Sequence, residues 1–332
     1  MSPLHRRTLL GGIAATALPV PGPEGIRRFV AVPENSRHCF EGSAFDYFRI
    51  QLESAKRDDG SLGPGRTLPV VLGLLRSIEQ HARDVGSSDR RELLSVGADG
   101  AEFAGWLYRD IHQPARAGFW YDRAMEWAQE ADNAAMQGYV LLKKSQMAYD
   151  DRDALRVLGL ARAARHERWR LPQRVRAEVT QQEALGLAMT GESPDAVKRK
   201  LDESRSLLIT VSDDDPNPLG AYFTEDTLML RNAVAYTEVG KPGMAVRLFG
   251  ETIASGALSP RDTGFFNARR AVAMALCGEP DEAAELGRVS AEVAHTMKSE
   301  RTLCVLADAL RTLGRWSGRP AVRDFREALR AS

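Results

Sequence analysis

The sequence predicts an all-α protein, on three observations. From about residue 40 onward, apolar residues recur at helical period through segments rich in Ala, Leu, Arg and Glu. Short Gly, Pro or Asp breaks separate these segments. No stretch alternates apolar and polar residues for long enough to make a strand. With 332 residues, 43% of them hydrophobic, the chain can bury a sizeable core. Its 45 Lys and Arg balance 45 Asp and Glu, which argues against a surface that tracks a phosphate backbone throughout. No apolar run approaches the length of a membrane-spanning helix.

The first element, residues 1–24, is an apolar segment followed by a hinge. Arg6-Arg7, then Thr8-Leu9-Leu10 and an Ala/Gly-rich stretch, look like a twin-arginine export signal, with Ala15-Thr16-Ala17 as a cleavage site. The competing reading is a short helix docked on the following domain, with its hinge at Pro19-Val20-Pro21-Gly22-Pro23. Residues 25–97 are expected to hold helices that cap the array behind them. The periodicity places these at 45–56, 68–85 and 89–97, with the glycine-rich stretch 58–65 as a turn.

Residues 98–332 show a repeat. Gly105, Tyr108, Ala117, Tyr121 and Ala124 fall on the small and bulky positions of a tetratricopeptide unit, where two antiparallel helices meet. Leu142, Ala154, Leu158 and Ala161 make a second unit, and Leu185, Ala188, Val197, Leu201 and Ser204 a looser third. Met229, Ala233, Tyr236, Ala245 and Phe249 make a fourth, and Ala271, Met274, Ala283 and Ser290 a fifth. The units start roughly 37 to 48 residues apart, longer than the ideal repeat. No unit can bury its apolar face alone. The expected architecture is therefore a right-handed superhelix of tetratricopeptide-like helix pairs, an α-solenoid, closed by capping helices at 302–316 and 321–330.

The stretch Glu102-Phe103-Ala104-Gly105-Trp106-Leu107-Tyr108-Arg109-Asp110 resembles the start of a repeat in actinobacterial Xre-type transcription regulators. Val239-Gly240-Lys241-Pro242 before Ala245, the run from Cys277 to Gly287, Ser299-Glu300-Arg301, and Pro320 to Phe325 are similar as well. The resemblance spans about residues 42–330. It implies a regulatory sensor domain placed behind a helix-turn-helix head. Such a head needs about 60 residues, and only five precede Arg6-Arg7. The twin arginine is then the junction left on a headless member, and a misassigned start would make the chain a full DNA-binding regulator.

Catalytic signatures are missing from the sequence. It has no phosphate-loop, dinucleotide or zinc-protease motif, and no G-x-S-x-G elbow. Cys39, Cys277 and Cys304 are too scattered for a disulfide framework or zinc site, and Asp213-Asp214-Asp215 lacks the spacing of a calcium loop. The reading implies no enzyme, no cofactor and no metal.

Binding is expected on the first helix of each pair, where i, i+4 and i+7 spacing collects side chains on one face. That face carries Trp106, Arg109, Tyr139, Lys143, Gln146 and Gln182, alongside Glu102, Asp110, Val234 and Glu238. Aromatic area with cations suits a peptide, a small amphiphilic ligand or another protein. Direct contact with nucleic acid and a membrane span are not expected; homodimerisation is compatible with the pattern. Arg162, Arg165, Arg168 and Arg170, with His166 and Trp169, read as a solvated basic face or a dock for an acidic partner. The expected setting is the cytoplasm, with twin-arginine export as the alternative.

Overall fold

A computed structural model describes residues 43–212, 217–256 and 258–331. The twin-arginine segment, the hinge and the Asp213-Asp214-Asp215 linker lie outside these residues.

The described chain is all-helical. Its fourteen α-helices are α1 (Ser43–Leu62), α2 (Pro64–Asp84), α3 (Ser87–Asp110), α4 (Pro114–Glu130), α5 (Ala134–Asp150), α6 (Ala154–Ala164) and α7 (Gln173–Met189), then α8 (Pro194–Ile209), α9 (Glu225–Glu238), α10 (Pro242–Ile253), α11 (Pro260–Cys277), α12 (Pro280–Met297), α13 (Glu300–Thr312) and α14 (Pro320–Arg330). Single 3₁₀ turns lie at Glu167–Trp169 and Leu313–Trp316.

Local chemistry explains where helices start and stop. Every even-numbered helix except α6 opens on proline, whose fixed φ suits the first turn and whose missing N–H is not needed there. Helix α6 is capped instead by the Asp153 carboxylate, which accepts from the Arg156 N–H. The turns into several even-numbered helices pass through a left-handed residue: His112, Arg152, Gly191, Gly240 and Gly278 all have positive φ.

Two expected boundaries move. The 45–56 helix runs on to Leu62, because Asp59 turns inward to an ion pair and only Gly63, at φ 72°, ends it. The 89–97 helix continues through Gly97 and Gly100 to Asp110. These glycines are close-approach points rather than breaks: a Cβ on Gly97 would stand 2.8 Å from the Trp127 ring, and one on Gly100 would stand 2.9 Å from Leu75.

Each helix packs on the next, and each odd-numbered helix also packs on the odd-numbered helix after it. The odd series then returns on itself, with α11 touching α1 and α13 touching α3. The odd helices are thus covered on nearly every side. In α7, Val175 and nearly every residue from Ala177 to Ala188 are buried, whereas α8 buries only four. The seams between odd and even helices are dry and built on small residues. Gly105 seats the fully buried Tyr121 ring, and Ala117, Ala124, Ala161, Ala245 and Ala283 are all fully buried.

Candidate functional site

The odd helices converge on a polar interior. At one end, Trp106 donates its indole N–H to Asp59 at 3.3 Å, and Asp59 pairs with Arg261 at 2.5 Å. Arg261 lies 3.9 Å from Asp110, which accepts the Ser299 hydroxyl at 2.9 Å and faces Arg301 at 3.7 Å. The guanidiniums of Arg301, Arg261 and Arg109 stand 4.7, 5.4 and 5.8 Å from the centroid of the Trp106 ring.

At the other end, the Lys143 ammonium donates to the Tyr222 hydroxyl at 2.9 Å, faces Glu102 at 3.7 Å, and stands 4.5 Å from both the Tyr139 and Tyr222 rings. Tyr222 donates in turn to Glu178. Glu178 also takes the Gln146 amide at 2.7 Å and lies 3.4 Å from Arg231. Arg109 reaches across from α3 to α5: it forks onto Asp150 and donates to the Gln146 carbonyl at 2.8 Å.

Burial and charge compete at each group. Burial lifts the carboxyls of Asp59 and Glu102 above the ordinary range, and Arg261 and Lys143 only partly offset it. Burial would lift Asp150 too, but the Arg109 fork overrides it and holds that carboxyl below its usual value. Lys143 behaves likewise with opposite sign: desolvation opposes its charge, yet Tyr222, Glu102 and Glu178 keep it firmly protonated. Arg301 draws support from Asp150 and Asp110, but not enough to offset its surroundings. Burial, reinforced by Arg109, drives it down to about 9.

The six residues expected to line a groove share one face of the interior. Arg109, Tyr139, Lys143, Gln146 and Gln182 are all at most 8% exposed, and Trp106 is half-buried. Their polar atoms are bonded to one another and to neighbouring helices; Gln182 donates to Ser145 at 3.2 Å. Sequence reasoning missed Asp59, Asp150, Glu178, Tyr222, Arg261, Arg269 and Arg301. Two of these were within reach: Asp150 is one turn beyond Gln146, and Glu178 one turn before Gln182. Arg261, Phe265 and Arg269 make an i, i+4, i+8 stripe on α11 that carries the same signal. Tyr222 sits between α8 and α9, where periodicity gives no guide.

An open cleft of about 580 Å³ lies between α5, α9, α11 and α13, with Phe249 of α10 in its wall. Tyr149, Val234, Val272 and Leu276 give it apolar surface, and Asp150, Glu238 and Arg269 give it charge. Tyr149 donates to Glu238 at 2.7 Å, and Arg152 grips the same carboxylate at 2.5 and 2.8 Å.

The basic segment after α6 is tied to its own acids. Arg165 pairs with Glu183 at 2.5 Å and Glu203 at 2.9 Å, while Arg162 reaches Glu183 at 3.4 Å. Arg168 stacks on the Trp169 ring at 4.2 Å.

No protein-family model, curated protein or solved structure matches the chain. Among the described residues, no helix is long and apolar enough to cross a membrane. No group of three His, Cys, Asp or Glu in those residues is placed to hold a metal ion.

Proposed function

We propose that the chain is a binding module rather than a catalyst, a tetratricopeptide-like superhelix. It captures a small amphiphile, a peptide or a protein segment on its inner helices and passes that state to a regulatory partner. The observation that carries this reading is the cleft: three of the inner helices, α5, α9 and α11, line it, and α13 closes it. Its volume suits a ligand of modest size, and its lining mixes aromatic and aliphatic surface with a few charges. The rest of the interior supports the same reading, since its acids and bases are engaged with each other and hold the helices in a fixed relation. The likeness of residues 102–110 to actinobacterial regulators supplies the regulatory half of the proposal.

The test is retention. The chain is purified from its native host under mild conditions and its bound molecules are identified by native mass spectrometry. Val272→Trp, which fills the cleft without changing charge, serves as the control. A molecule held by the natural chain and lost from the variant supports the proposal. Equal retention by both, or retention by neither, refutes it.

A further inference from the structure

The charged groups at the cleft and behind it are unevenly paired. Asp150 is held by Arg109, Glu238 by Arg152, and Asp59 by Arg261. Asp110 is divided: Ser299 donates to it at 2.9 Å, Arg261 stands 3.9 Å away and Arg301 3.7 Å away, beyond hydrogen-bond reach. Arg269 has no carboxylate within ion-pair distance among the described residues. At the rim, Asp308 and Arg311 pair with each other. Of the three arginines that line the cleft, Arg152, Arg269 and Arg311, Arg269 is thus the one without a carboxylate of its own.

Arg269 and Arg301 stand 5.4 and 3.7 Å from the centroid of one ring, Phe265, so two like charges share an apolar neighbour. Arg269 spends one donor, Nη1, on the Tyr149 hydroxyl at 3.0 Å, and its Nε is shut away from solvent with no acceptor. The Arg301 Nε is likewise buried without one. A buried donor left unmade is costly, and repulsion between the two cations adds to that cost. An anion beside Arg269 relieves that repulsion. Arg301 is pushed down by burial first and then by Arg109, and Asp150 and Asp110 oppose this only in part.

Resting on the binding-module reading above, we propose that the cleft is a site for an amphiphilic monocarboxylate, anchored at Arg269 with Arg301 behind it, its apolar body lying against Tyr149, Val234 and Val272. A carboxylate supplies the partner that Arg269 lacks, and its planar shape matches the planar guanidinium. Asp150 and Glu238 also border the cleft, but each already carries its own arginine and so does not oppose an incoming anion. The carboxylate has two natural sources, the C-terminus of a short peptide and a small organic acid.

The experiment is a calorimetric titration of the full chain with octanoate and with N-acetyl-Leu-Phe, each against its neutral amide. At least one carboxylate is expected to bind, with its amide weaker by at least about tenfold, the loss of one charge-assisted hydrogen bond. Binding by octanoate alone identifies an organic-acid site, binding by the peptide alone a C-terminus site. Arg269→Gln is expected to lose at least about tenfold in affinity while keeping its helical signal. No binding by either carboxylate, amides that bind as well, or unchanged affinity in Arg269→Gln each overturns the site. If Arg269→Gln fails to fold, Val272→Trp decides: carboxylate binding that survives in a filled cleft overturns the site, and its loss supports it. The two readings fail separately. A native molecule retained through the cleft by a chain that ignores carboxylates removes only the anion chemistry. Carboxylate binding by a chain that retains nothing from its host removes only the sensor reading.

Discussion

The interior where the odd helices meet and the seams between odd and even helices are built on opposite principles. The seams use Gly and Ala so that backbones approach closely, and buried hydroxyls in them, such as those of Ser145 and Ser204, donate to a backbone carbonyl of the facing helix. The interior buries Asp59, Glu102, Arg109, Asp110, Lys143 and Glu178, each of which loses hydration on folding. Packing of the seam kind accounts for a stable helical array by itself, whereas a buried ionic network is a weak source of stability. The cleft lies at the edge of that network, where Arg269 has no carboxylate within ion-pair distance among the described residues.

This contrast is open to attack at both ends. The largest effect is expected from Arg109→Met, which strands the Asp150 carboxylate in a desolvated place and should cost about 3–5 kcal/mol in chemical denaturation. Adding Asp150→Leu to the same chain should recover most of that loss, because an apolar pair of similar volume has no desolvation penalty. Next comes Gly186→Ala in the α6–α7 seam. Its Cβ would stand 2.8 Å from the Leu158 Cα, a backbone atom with little freedom to move, and a loss of about 1–3 kcal/mol is expected.

A smaller effect comes from pH. The Asp150 and Glu238 carboxyls are held below their ordinary values, so the stability they lend is complete above the unfolded value of about 4. It is lost as pH falls through their folded values. Asp59 and Glu102 are raised and act in the opposite sense, regaining stability as they take up protons. Arg109→Met should therefore flatten the acid limb of a stability–pH profile relative to the natural chain. The smallest effect is a gain. Gly159 lies inside α6 with nothing within 4 Å of a built Cβ, and Gly159→Ala should add about 0.5–1 kcal/mol.

The seams were more legible in the sequence than the interior. Ala117, Tyr121 and Ala124 stand at a fixed small-bulky-small spacing along one helix, and each is fully buried in the structure. Trp106, Arg109, Lys143 and Gln146 were also legible as one face, since helical period alone groups them. What they touch was not. The pairing of Asp59 with Arg261 and of Ser299 with Asp110 joins residues about 200 apart, through the contacts of α1 with α11 and of α3 with α13. That closure depends on how far each helix pair turns relative to the last, and no spacing along the chain encodes it. For the same reason side chains expected to be open to a ligand are engaged with one another, and the cleft lies one turn further along α5 and across onto α11 and α13.

Thermal unfolding of Arg269→Gln beside Arg109→Gln, with no ligand present, tests the account most directly. One variant removes a cation without an ion-paired carboxylate among the described residues, and the other removes a cation that neutralises Asp150. The account predicts that Arg109→Gln lowers the midpoint while Arg269→Gln leaves it unchanged or raises it. A fall in both would contradict it, showing that the fold depends on Arg269 as much as on Arg109.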